Sequence, residues 1–316
     1  METINRRYLW MFFGILIIVM MGAYFLNIYK TPMLNKPIPL RSDSAEISSY
    51  YEIKDTHGIT ILQTGLPVSV DDQYIDDHNV QYIITKVDGQ NAVADIVANS
   101  DTASEESSMV AAIPPANVTI PAQAAPGRHV VIYHTHTDES YTPSSGQPSQ
   151  PAAGDVYAVG NTLADSLQKS GVSVTHSTSA HDPHDINAYH RSRKTIAQLI
   201  KEQPDAAFDI HRDSAPASAY ITSINGVDTS RVMMVVGRSN PTEKTNLNYA
   251  KTIKATADSL YPGFIRGIYI GKGDYNQDLY PTAMLFEVGT ETISLDLAEN
   301  AARFLGDVIT HVFNGG

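Results

Sequence analysis

The sequence predicts an α/β fold for residues 128–316, with a central sheet flanked by helices. Short runs of apolar and β-branched residues, such as Val130–Tyr133 and Val232–Gly237, have the composition of buried strands. Longer segments, such as Tyr157–Lys169 and Leu295–Phe313, carry apolar residues at helical spacing. Because strand-like and helix-like segments alternate here as they do in βαβ units, one α/β domain is expected.

The other elements of this domain follow from the same two patterns. The chain contains no internal repeat. Pro204 ends one predicted helix, because proline cannot continue a helix. We expect further strands at Val172–Val174, Ala206–Ile210, Ile265–Ile270 and Met284–Val288, and further helices at Arg193–Glu202 and Leu247–Leu260.

A small β-rich module is predicted before this domain, over residues 50–97. Alternating or β-branched runs, Ile59–Leu62 and Val80–Val87, are separated by turn signals such as Asp88-Gly89. Nothing in the module is typical of a catalytic site, so we expect it to be a spacer or a docking surface. Residues 98–127, rich in Ala, Ser, Pro and acidic residues, predict an inter-domain linker.

The N-terminus has the pattern of a membrane anchor. An uncharged and nearly all apolar stretch runs from Tyr8 to Leu26, long enough as a helix to cross a bilayer core of about 30 Å. Arg6 and Arg7 precede it, which places the N-terminus in the cytoplasm and the rest of the chain outside. The alternative is a cleaved signal peptide, although the stretch exceeds the usual 7–15 or so residues and no A-x-A site follows it. We predict a cytoplasmic tail at 1–7, a transmembrane anchor at 8–29 and a spacer at 30–49.

Charge and cysteine content exclude several classes of function. The chain has 22 Lys and Arg against 34 Asp and Glu, a net charge of −12, so it lacks the basic surface that binds nucleic acid. It has no cysteine, which excludes disulfides, Cys-type zinc sites, iron–sulfur clusters and thiol nucleophiles. Any metal site must therefore use histidine and carboxylate ligands.

Three of the predicted strands carry residues that bind metals or move protons. Ligands collect at the carboxyl ends of strands in open α/β sheets, so we expect these side chains to lie together. Histidine and glutamate ligands suit a catalytic zinc ion, and a remaining glutamate would be the general base of amide hydrolysis. The alternative is that they are ordinary loop or core residues. They are His134, His136 and Glu139 after the first strand, His211 after Ala206–Ile210, and Glu287 in Met284–Val288.

Four ordered segments of the chain resemble the motifs of the stage II sporulation protein P family, membrane-anchored peptidoglycan hydrolases of endospore-forming bacteria. The resemblance covers residues 128–316 well, whereas the anchor and the β-rich module match only the family's general layout. The four segments are His134–Tyr141 (HTHTDESY), Asp209–Asp213 (DIHRD), Tyr275–Leu279 (YNQDL) and Leu285–Gly289 (LFEVG).

This resemblance implies a zinc-dependent N-acetylmuramoyl-L-alanine amidase that also acts as an endopeptidase on cross-linked stem peptides. The substrate implied is peptidoglycan and the cofactor implied is Zn²⁺. The partners implied are stage II sporulation protein D, a lytic transglycosylase, and the membrane protein stage II sporulation protein M. Together they would thin the wall of the sporulation septum during engulfment, on the outer side of the membrane.

The resemblance also implies the metal ligands. His136, or alternatively His134, would be the first ligand, and His211 matches the second. Relatives take a third ligand from a glutamate on the following helix, which has no glutamate here. Glu139 is therefore assigned as third ligand, with Asp155 as its substitute.

Catalytic and substrate-binding roles follow from the same motifs. Glu287 matches the catalytic glutamate, with Glu291 as an alternative base, and Arg212 would orient the site. Relatives have an asparagine shortly after the catalytic glutamate, which is missing from Thr290–Ser294 here and leaves the local substrate contacts open. The predicted substrate-binding residues are Asp213, Asn276, Gln277 and Tyr141.

Two other functions compete with the amidase. A wall-binding scaffold would keep the anchor and the linker but would not need Glu287. A metal-dependent polysaccharide deacetylase would use the same types of ligand but would release acetate instead of peptide.

Overall fold

The computed structural model describes residues 49–97, 127–185 and 187–315. Within these ranges it contains thirteen strands and five α-helices. The strands are β1 (Tyr51–Asp55), β2 (Thr60–Thr64), β3 (Gln73–Asp76), β4 (Gln81–Asp88), β5 (Asn91–Ile96), β6 (His129–Tyr133), β7 (Ser173–His176), β8 (Ala206–Asp213), β9 (Ile221–Ile224), β10 (Val227–Ser230), β11 (Val232–Gly237), β12 (Ile265–Gly271) and β13 (Ala283–Thr290). The helices are α1 (Thr142–Ser145), α2 (Val156–Lys169), α3 (Ala188–Leu199), α4 (Glu243–Leu260) and α5 (Leu295–Phe313).

Eleven of the described strands form one mixed sheet, in the order β2-β1-β5-β4-β3-β12-β11-β13-β8-β6-β7. Strands β7, β6, β8 and β13 are parallel to one another, and β11 is antiparallel to β13. β9 and β10 form a separate hairpin. The prediction of an α/β fold with a central sheet and flanking helices is confirmed.

Helices cover both faces of the parallel part of the sheet. On one face, α2, α4 and α5 bury apolar side chains such as Leu163, Ile253 and Leu305 against Phe208 and Phe286. Ile196 and Leu199 of α3 pack on the other face, against β6. β8 and β13 are buried along their whole length, because neighbours cover both faces of each strand.

The β-rich segment at 50–97 has the predicted strands but does not form a separate sheet. β3 pairs in antiparallel register with β12, with Asp76 opposite Gly267, so its five strands extend the sheet of the α/β region. Tyr74 donates a hydrogen bond to the carbonyl of Arg266 at 2.7 Å. Edge-to-edge pairing therefore joins the segment to the rest of the fold, and its predicted role as a spacer or docking surface stays a prediction.

Asp213 ties this segment to the end of β8. Its buried carboxylate accepts hydrogen bonds from the Thr64 hydroxyl (2.9 Å), the Gly65 amide (2.8 Å) and the Tyr220 hydroxyl (2.8 Å). The guanidinium of buried Arg266 lies 3.6 Å from the same carboxylate and 4.6 Å from the Tyr220 ring centre. Asp213 therefore joins three parts of the chain that are distant in sequence.

We expect Asp213→Ala to lower the free energy of unfolding by about 3–5 kcal/mol, because it leaves the buried Arg266 charge without its carboxylate partner. Denaturant unfolding of the purified chain measures this loss. Asp228→Ala, which removes an exposed carboxylate from the β9–β10 hairpin, is the control and should change stability by less than about 0.5 kcal/mol. Equal stability of the two variants would contradict the role of Asp213.

Across the three described ranges, no helix combines the length and the apolar character needed to cross a membrane. The predicted tail, anchor and spacer at 1–49 and the predicted linker at 98–127 fall outside the described residues, apart from Ser49 and Gly127. They stay predictions.

Candidate active site

Most of the predicted site residues meet at the carboxyl ends of β6, β8 and β13. These three strands are parallel neighbours, with Tyr133 opposite Asp209 and His211 opposite Glu287. A bulge between Glu287 and Thr290 interrupts β13, and Gly289 takes a φ of 76° there, which favours glycine. The parallel pairing thus brings side chains from three distant segments to one edge of the sheet.

His211 lies between two carboxylates and is 2% exposed. Its Nδ1 is 3.4 Å from an oxygen of Glu139, and its Nε2 is 3.0 Å from an oxygen of Asp209. Burial alone would lower the pKa of His211, but the negative charges of Asp209 and Glu139 raise it well above its ordinary value. The two carboxylates therefore favour the charged form of the His211 imidazole.

Asp209 and Glu139 are fixed by backbone donors as well as by His211. Asp209 accepts hydrogen bonds from the Thr135 amide (2.8 Å) and hydroxyl (2.6 Å). Glu139 accepts one from the Arg212 amide at 3.0 Å. Burial tends to raise the pKa of Glu139, but the charges of His211 and Arg212 hold it below its usual range. Both groups are thus carboxylates at neutral pH.

His136 presents a neutral imidazole beside His211. Burial lowers the pKa of His136 to about 4, which leaves the ring in the form that binds metals. Within the part of the chain that the structure describes, its Nδ1 is buried and has no hydrogen-bond partner. An unpartnered buried nitrogen of this kind is what a metal ion would satisfy.

Two sets of ligands around His136 can be compared by ring geometry. The ligand atoms of His136, Asp138 and His184 lie within 4.8 Å of one another. However, the His136 and His184 rings are stacked, 3.8 Å apart and 5° from parallel, so their in-plane nitrogens cannot point at one common ion. The His136 and His211 rings are 5.2 Å apart and 82° from parallel.

Two imidazoles on one tetrahedral zinc ion, with Zn–N of about 2.0–2.1 Å, hold their ring centres roughly 5 Å apart. The pair His136 and His211 has this spacing, and Glu139 adjoins His211. His136, Glu139 and His211 thus offer a donor set that suits zinc, beside the more closely spaced cluster of His136, Asp138 and His184.

Glu287 faces the same group from β13. It is 3% exposed, and among the described residues its Oε2 has no hydrogen-bond partner. Burial raises the pKa of Glu287 well above its ordinary value, while the charge of His211 opposes that rise. A buried carboxyl beside the site can both accept and deliver a proton in one reaction cycle.

His134 and Asp155, the two alternative metal ligands, have structural partners instead. His134 Nδ1 donates to the Ile210 carbonyl at 2.9 Å, and its Nε2 is 2.8 Å from Nε2 of His176. A side chain on Gly160 would collide with both rings, so glycine leaves the space for this pair. Asp155 accepts a hydrogen bond from the Tyr141 amide at 2.9 Å and one from the Ser145 hydroxyl. His134 and Asp155 thus have hydrogen-bond partners within the fold, and the choice among the alternative ligands stays a prediction.

Arg212, predicted to be catalytic, uses its guanidinium to order a loop. It donates to the carbonyls of Ser140 (3.2 Å) and Pro148 (2.8 Å) and lies 3.5 Å from Glu291. These contacts place it beside the site, where it fixes the loop that carries Glu139.

The four predicted substrate-binding residues are fully buried, and the fold uses their polar atoms. The Tyr141 hydroxyl donates to the Val288 carbonyl at 2.7 Å, and Asp213 has the partners described above. Gln277 bonds the backbone of Val235 and Gly237. Asn276 donates to the Tyr189 carbonyl at 3.1 Å. The polar atoms of these side chains are thus bonded within the fold, and their predicted contacts with substrate stay predictions.

Asp138, His184 and Tyr189 lie in the site without a role assigned to them from the sequence. Asp138 and His184 form an ion pair at 3.0 Å beside His136. The Tyr189 ring packs on His136 and His211. Asp138 lies inside the HTHTDESY motif and could have been found there, whereas His184 and Tyr189 lie in segments without any motif.

Comparison with known proteins gives two sequence matches. The family model of Stage II sporulation protein P (SpoIIP) matches residues 56–310. A Stage II sporulation protein P of Bacillus subtilis (strain 168) is 28% identical over 203 residues. That match spans 58% of this chain and about half, 51%, of the relative's length.

Comparison with solved structures gives more distant likenesses. An N-acetylmuramyl-L-alanine amidase of Mycobacterium smegmatis is 13% identical, with a TM-score of 0.39, over 60% of this chain and 99% of the other. An amidase of Clostridioides difficile, solved in complex with a lipoprotein, is 11% identical, with a TM-score of 0.42, over 60% of this chain and 100% of the other.

The family model covers most of the described chain, including strands β2 to β5 of the β-rich segment and all four motifs. It also spans every residue that meets at the carboxyl ends of β6, β8 and β13. The chain therefore belongs to the Stage II sporulation protein P family.

Proposed function

We propose that this chain is a zinc-dependent peptidoglycan hydrolase that cleaves the amide between N-acetylmuramic acid and the L-alanine of the stem peptide. The observation that carries the proposal is the meeting of His136, Glu139, His211 and Glu287 at one edge of the sheet. Membership of the family supports the choice of cell wall as substrate.

In this proposal His136, Glu139 and His211 hold the zinc ion. Their donor set of two imidazoles and one carboxylate suits a catalytic zinc site, which leaves one position for water. A bound zinc ion would supply a Lewis acid and lower the pKa of water to about 7. Asp209, 3.0 Å from His211 Nε2, would hold that ring in its orientation.

Glu287 moves the proton. Water adds its oxygen to the amide carbonyl carbon, and the Glu287 carboxylate takes the proton that the water loses. The C–N bond then breaks, and Glu287 gives the same proton to the leaving amine nitrogen. The products are a carboxylic acid on the sugar lactyl group and a free amino group on the stem peptide, so atoms and charges balance.

The wider role also belongs to this proposal. Cleavage of cross-links by an endopeptidase activity would be another amide hydrolysis at the same site. The apolar stretch at 8–29 would hold the chain to the membrane with the N-terminus in the cytoplasm, at the sporulation septum. Stage II sporulation proteins D and M would act with it during engulfment, as the family resemblance implies.

Digestion of purified peptidoglycan by the full chain in detergent tests the proposal. We expect mass spectrometry to find free stem peptides, to lose them after treatment with a chelator, and to recover them after zinc is added back. Shortened cross-links would establish the endopeptidase activity. Binding without cleavage, even with zinc and a glycan-cleaving enzyme present, would contradict the proposal in favour of a scaffold, and released acetate would indicate a deacetylase.

A further inference from the structure

A chain of buried polar side chains links the YNQDL motif to His211. It begins at Asn276, whose Nδ2 donates to the Ser192 hydroxyl on α3 at 3.1 Å. The Ser192 hydroxyl lies 2.8 Å from the Thr135 hydroxyl, which donates to Asp209 Oδ2 at 2.6 Å. Asp209 Oδ1 is 3.0 Å from His211 Nε2. All five side chains are buried, so their contacts form one continuous path inside the protein.

The side-chain amide of Asn276 has one orientation in this path. Arg193 Nη1 donates to its Oδ1 at 3.3 Å, and the same guanidinium forms two hydrogen bonds, of 2.7 and 2.6 Å, with Asp278. A guanidinium has no acceptor, so the amide atom that faces it must be the oxygen. The amide nitrogen is therefore the atom that faces Ser192.

The hydrogen bonds of the path run in one direction, toward Asp209. An ionised carboxylate only accepts, and each hydroxyl has one hydrogen to donate. Because Thr135 gives its hydrogen to Asp209, it can only accept from Ser192. The Ser192 hydroxyl also lies 3.3 Å from the Tyr189 carbonyl, but a hydrogen directed there would leave two hydroxyl oxygens facing each other at 2.8 Å. Ser192 thus donates to Thr135 and accepts from Asn276.

Thr135 binds both oxygens of the Asp209 carboxylate. Its amide donates to Oδ1 at 2.8 Å and its hydroxyl to Oδ2 at 2.6 Å. The contact of Oδ1 with His211 is an ion pair, since Nε2 of His211 makes no aligned hydrogen bond among the described residues. The two bonds from Thr135 therefore fix the place of the negative charge beside the His211 ring. Donors further along the path strengthen this hold, because each hydrogen bond polarises the next.

The Asp209 carboxylate decides which nitrogen of His211 is left for a metal ion. A histidine ligand binds the metal through one nitrogen and keeps its proton on the other, beside an acceptor. The negative charge of Asp209 favours that proton on Nε2. Nδ1, which faces Glu139 at 3.4 Å, is then the nitrogen with a free electron pair.

We propose that Thr135, Ser192 and Asn276 are positioning residues of the metal site. They hold the Asp209 carboxylate in the orientation that keeps the proton of His211 on Nε2 and leaves Nδ1 for the ion. Asn276 of the YNQDL motif thus acts on the affinity for zinc. This inference rests on the proposed zinc site and not on the identity of the substrate.

Thr135→Val tests the proposal, because it removes the hydroxyl and nearly keeps the shape of the side chain. The zinc affinity of the full chain in detergent is measured by competition with a chelator, which needs no activity. Outer-shell substitutions lower metal affinity by about 10–100-fold, and we expect a loss in this range. Thr135→Ser, which keeps the hydroxyl, should stay within about threefold of the wild-type affinity.

Thr310→Val is the matched control. Thr310 is a buried threonine in the last turn of α5 and no member of the path, and its hydroxyl donates to the Gly306 carbonyl at 2.8 Å. The zinc affinity of this variant should equal that of the wild type. Melting of all variants after chelator treatment shows that each one folds, so that lost affinity is not mistaken for lost structure.

Two further variants test the outer part of the path. Asn276→Gly removes the amide and suits the backbone, since Asn276 has a φ of 57°, which glycine adopts freely. Loss of one hydrogen bond from the path should lower zinc affinity by about three- to tenfold. Ser192→Ala, which breaks the path within a helix, should have a similar effect. In a Thr135→Val background, neither substitution should lower the affinity much further.

The proposal is overturned if folded Thr135→Val binds zinc as tightly as the wild type. It is also overturned if the losses from Thr135→Val and Asn276→Gly multiply in the double variant, because Asn276 would then not act through Thr135. Should Thr135→Val fail to fold, wild-type affinity in both Asn276→Gly and Ser192→Ala would overturn it instead.

The same measurements separate this proposal from the proposed function. A wild-type chain that binds no zinc would contradict both the zinc site and the positioning roles. A wild-type chain that binds zinc, with the expected losses in the variants, but cleaves no peptidoglycan would contradict the proposed function alone.

Discussion

Glu287→Gln is expected to lower kcat for amide hydrolysis by about 10²–10⁴, because glutamine can neither accept nor deliver the proton that the reaction moves. The variant should keep its fold and its bound zinc. Glutamine has nearly the shape of a protonated glutamic acid, and burial favours the protonated form at this position. Steady-state kinetics on muropeptides, with zinc content measured on the same samples, provides the test.

We also expect Glu287→Gln to be at least as stable as the wild type when no metal is bound. The pKa of Glu287 is raised in the folded chain, so a buried carboxyl must take up a proton on folding above the ordinary glutamate pKa. The free-energy cost of this proton uptake grows as the pH rises from the pKa of Glu287 in the unfolded chain toward its pKa in the folded chain. Chelator-treated Glu287→Gln should therefore melt at or above the wild-type temperature at pH 8, although it is inactive.

Glu291→Gln is the control, because Glu291 was the alternative base. Its carboxylate contacts Arg212 and the Ser214 hydroxyl at the end of β13. We expect it to retain most of the activity. If Glu291→Gln lost activity and Glu287→Gln kept it, Glu291 would be the catalytic base and Glu287 would not.

His136→Ala is expected to lose stoichiometric zinc and, with it, detectable hydrolysis. Removal of a direct ligand should exceed the 10–100-fold loss of metal affinity that is typical of outer-shell substitutions. Metal analysis after dialysis gives the zinc content without any need for activity. The prediction depends on His136 Nδ1, a buried nitrogen that lacks a partner in the described chain.

His134→Ala is the matched comparison, since the sequence left the choice between these two histidines open. We expect it to keep its zinc but to lose about 1–3 kcal/mol of stability, because the Ile210 carbonyl and His176 lose their partner. The opposite pattern, with zinc lost from His134→Ala and kept by His136→Ala, would reverse the assignment.

Much of the fold could be predicted from local patterns. The closing helix Leu295–Phe313 and the strand Val232–Gly237 have the predicted bounds, because their apolar periodicity is strong and uninterrupted. β8 was predicted to end at Ile210, yet it continues to Asp213. Charged residues normally end a buried strand, but here His211, Arg212 and Asp213 find partners inside the protein, and no local pattern shows that pairing.

The site was predictable where a motif lies at a strand end and not elsewhere. His136, Glu139, His211 and Glu287 come together because parallel neighbouring strands bring their carboxyl ends to one edge. Asn276 and Gln277 of the YNQDL motif were predicted to contact substrate, and in the structure their side chains bond the backbone of other segments. Tyr189, whose ring lies beside the rings of His136 and His211, could not be found, because no motif surrounds it in the sequence.

The pairing of β3 with β12 also limits how early in synthesis the large sheet can form. Tyr74 and Arg266, which bond across this junction, are 192 residues apart in sequence. During synthesis from the N-terminus, β3 must wait for β12 before its free edge can be paired, and contacts of such long range slow folding. A chain that is being synthesised thus carries an open sheet edge until nearly all of it has emerged from the ribosome, and such an edge is a template for pairing with another copy.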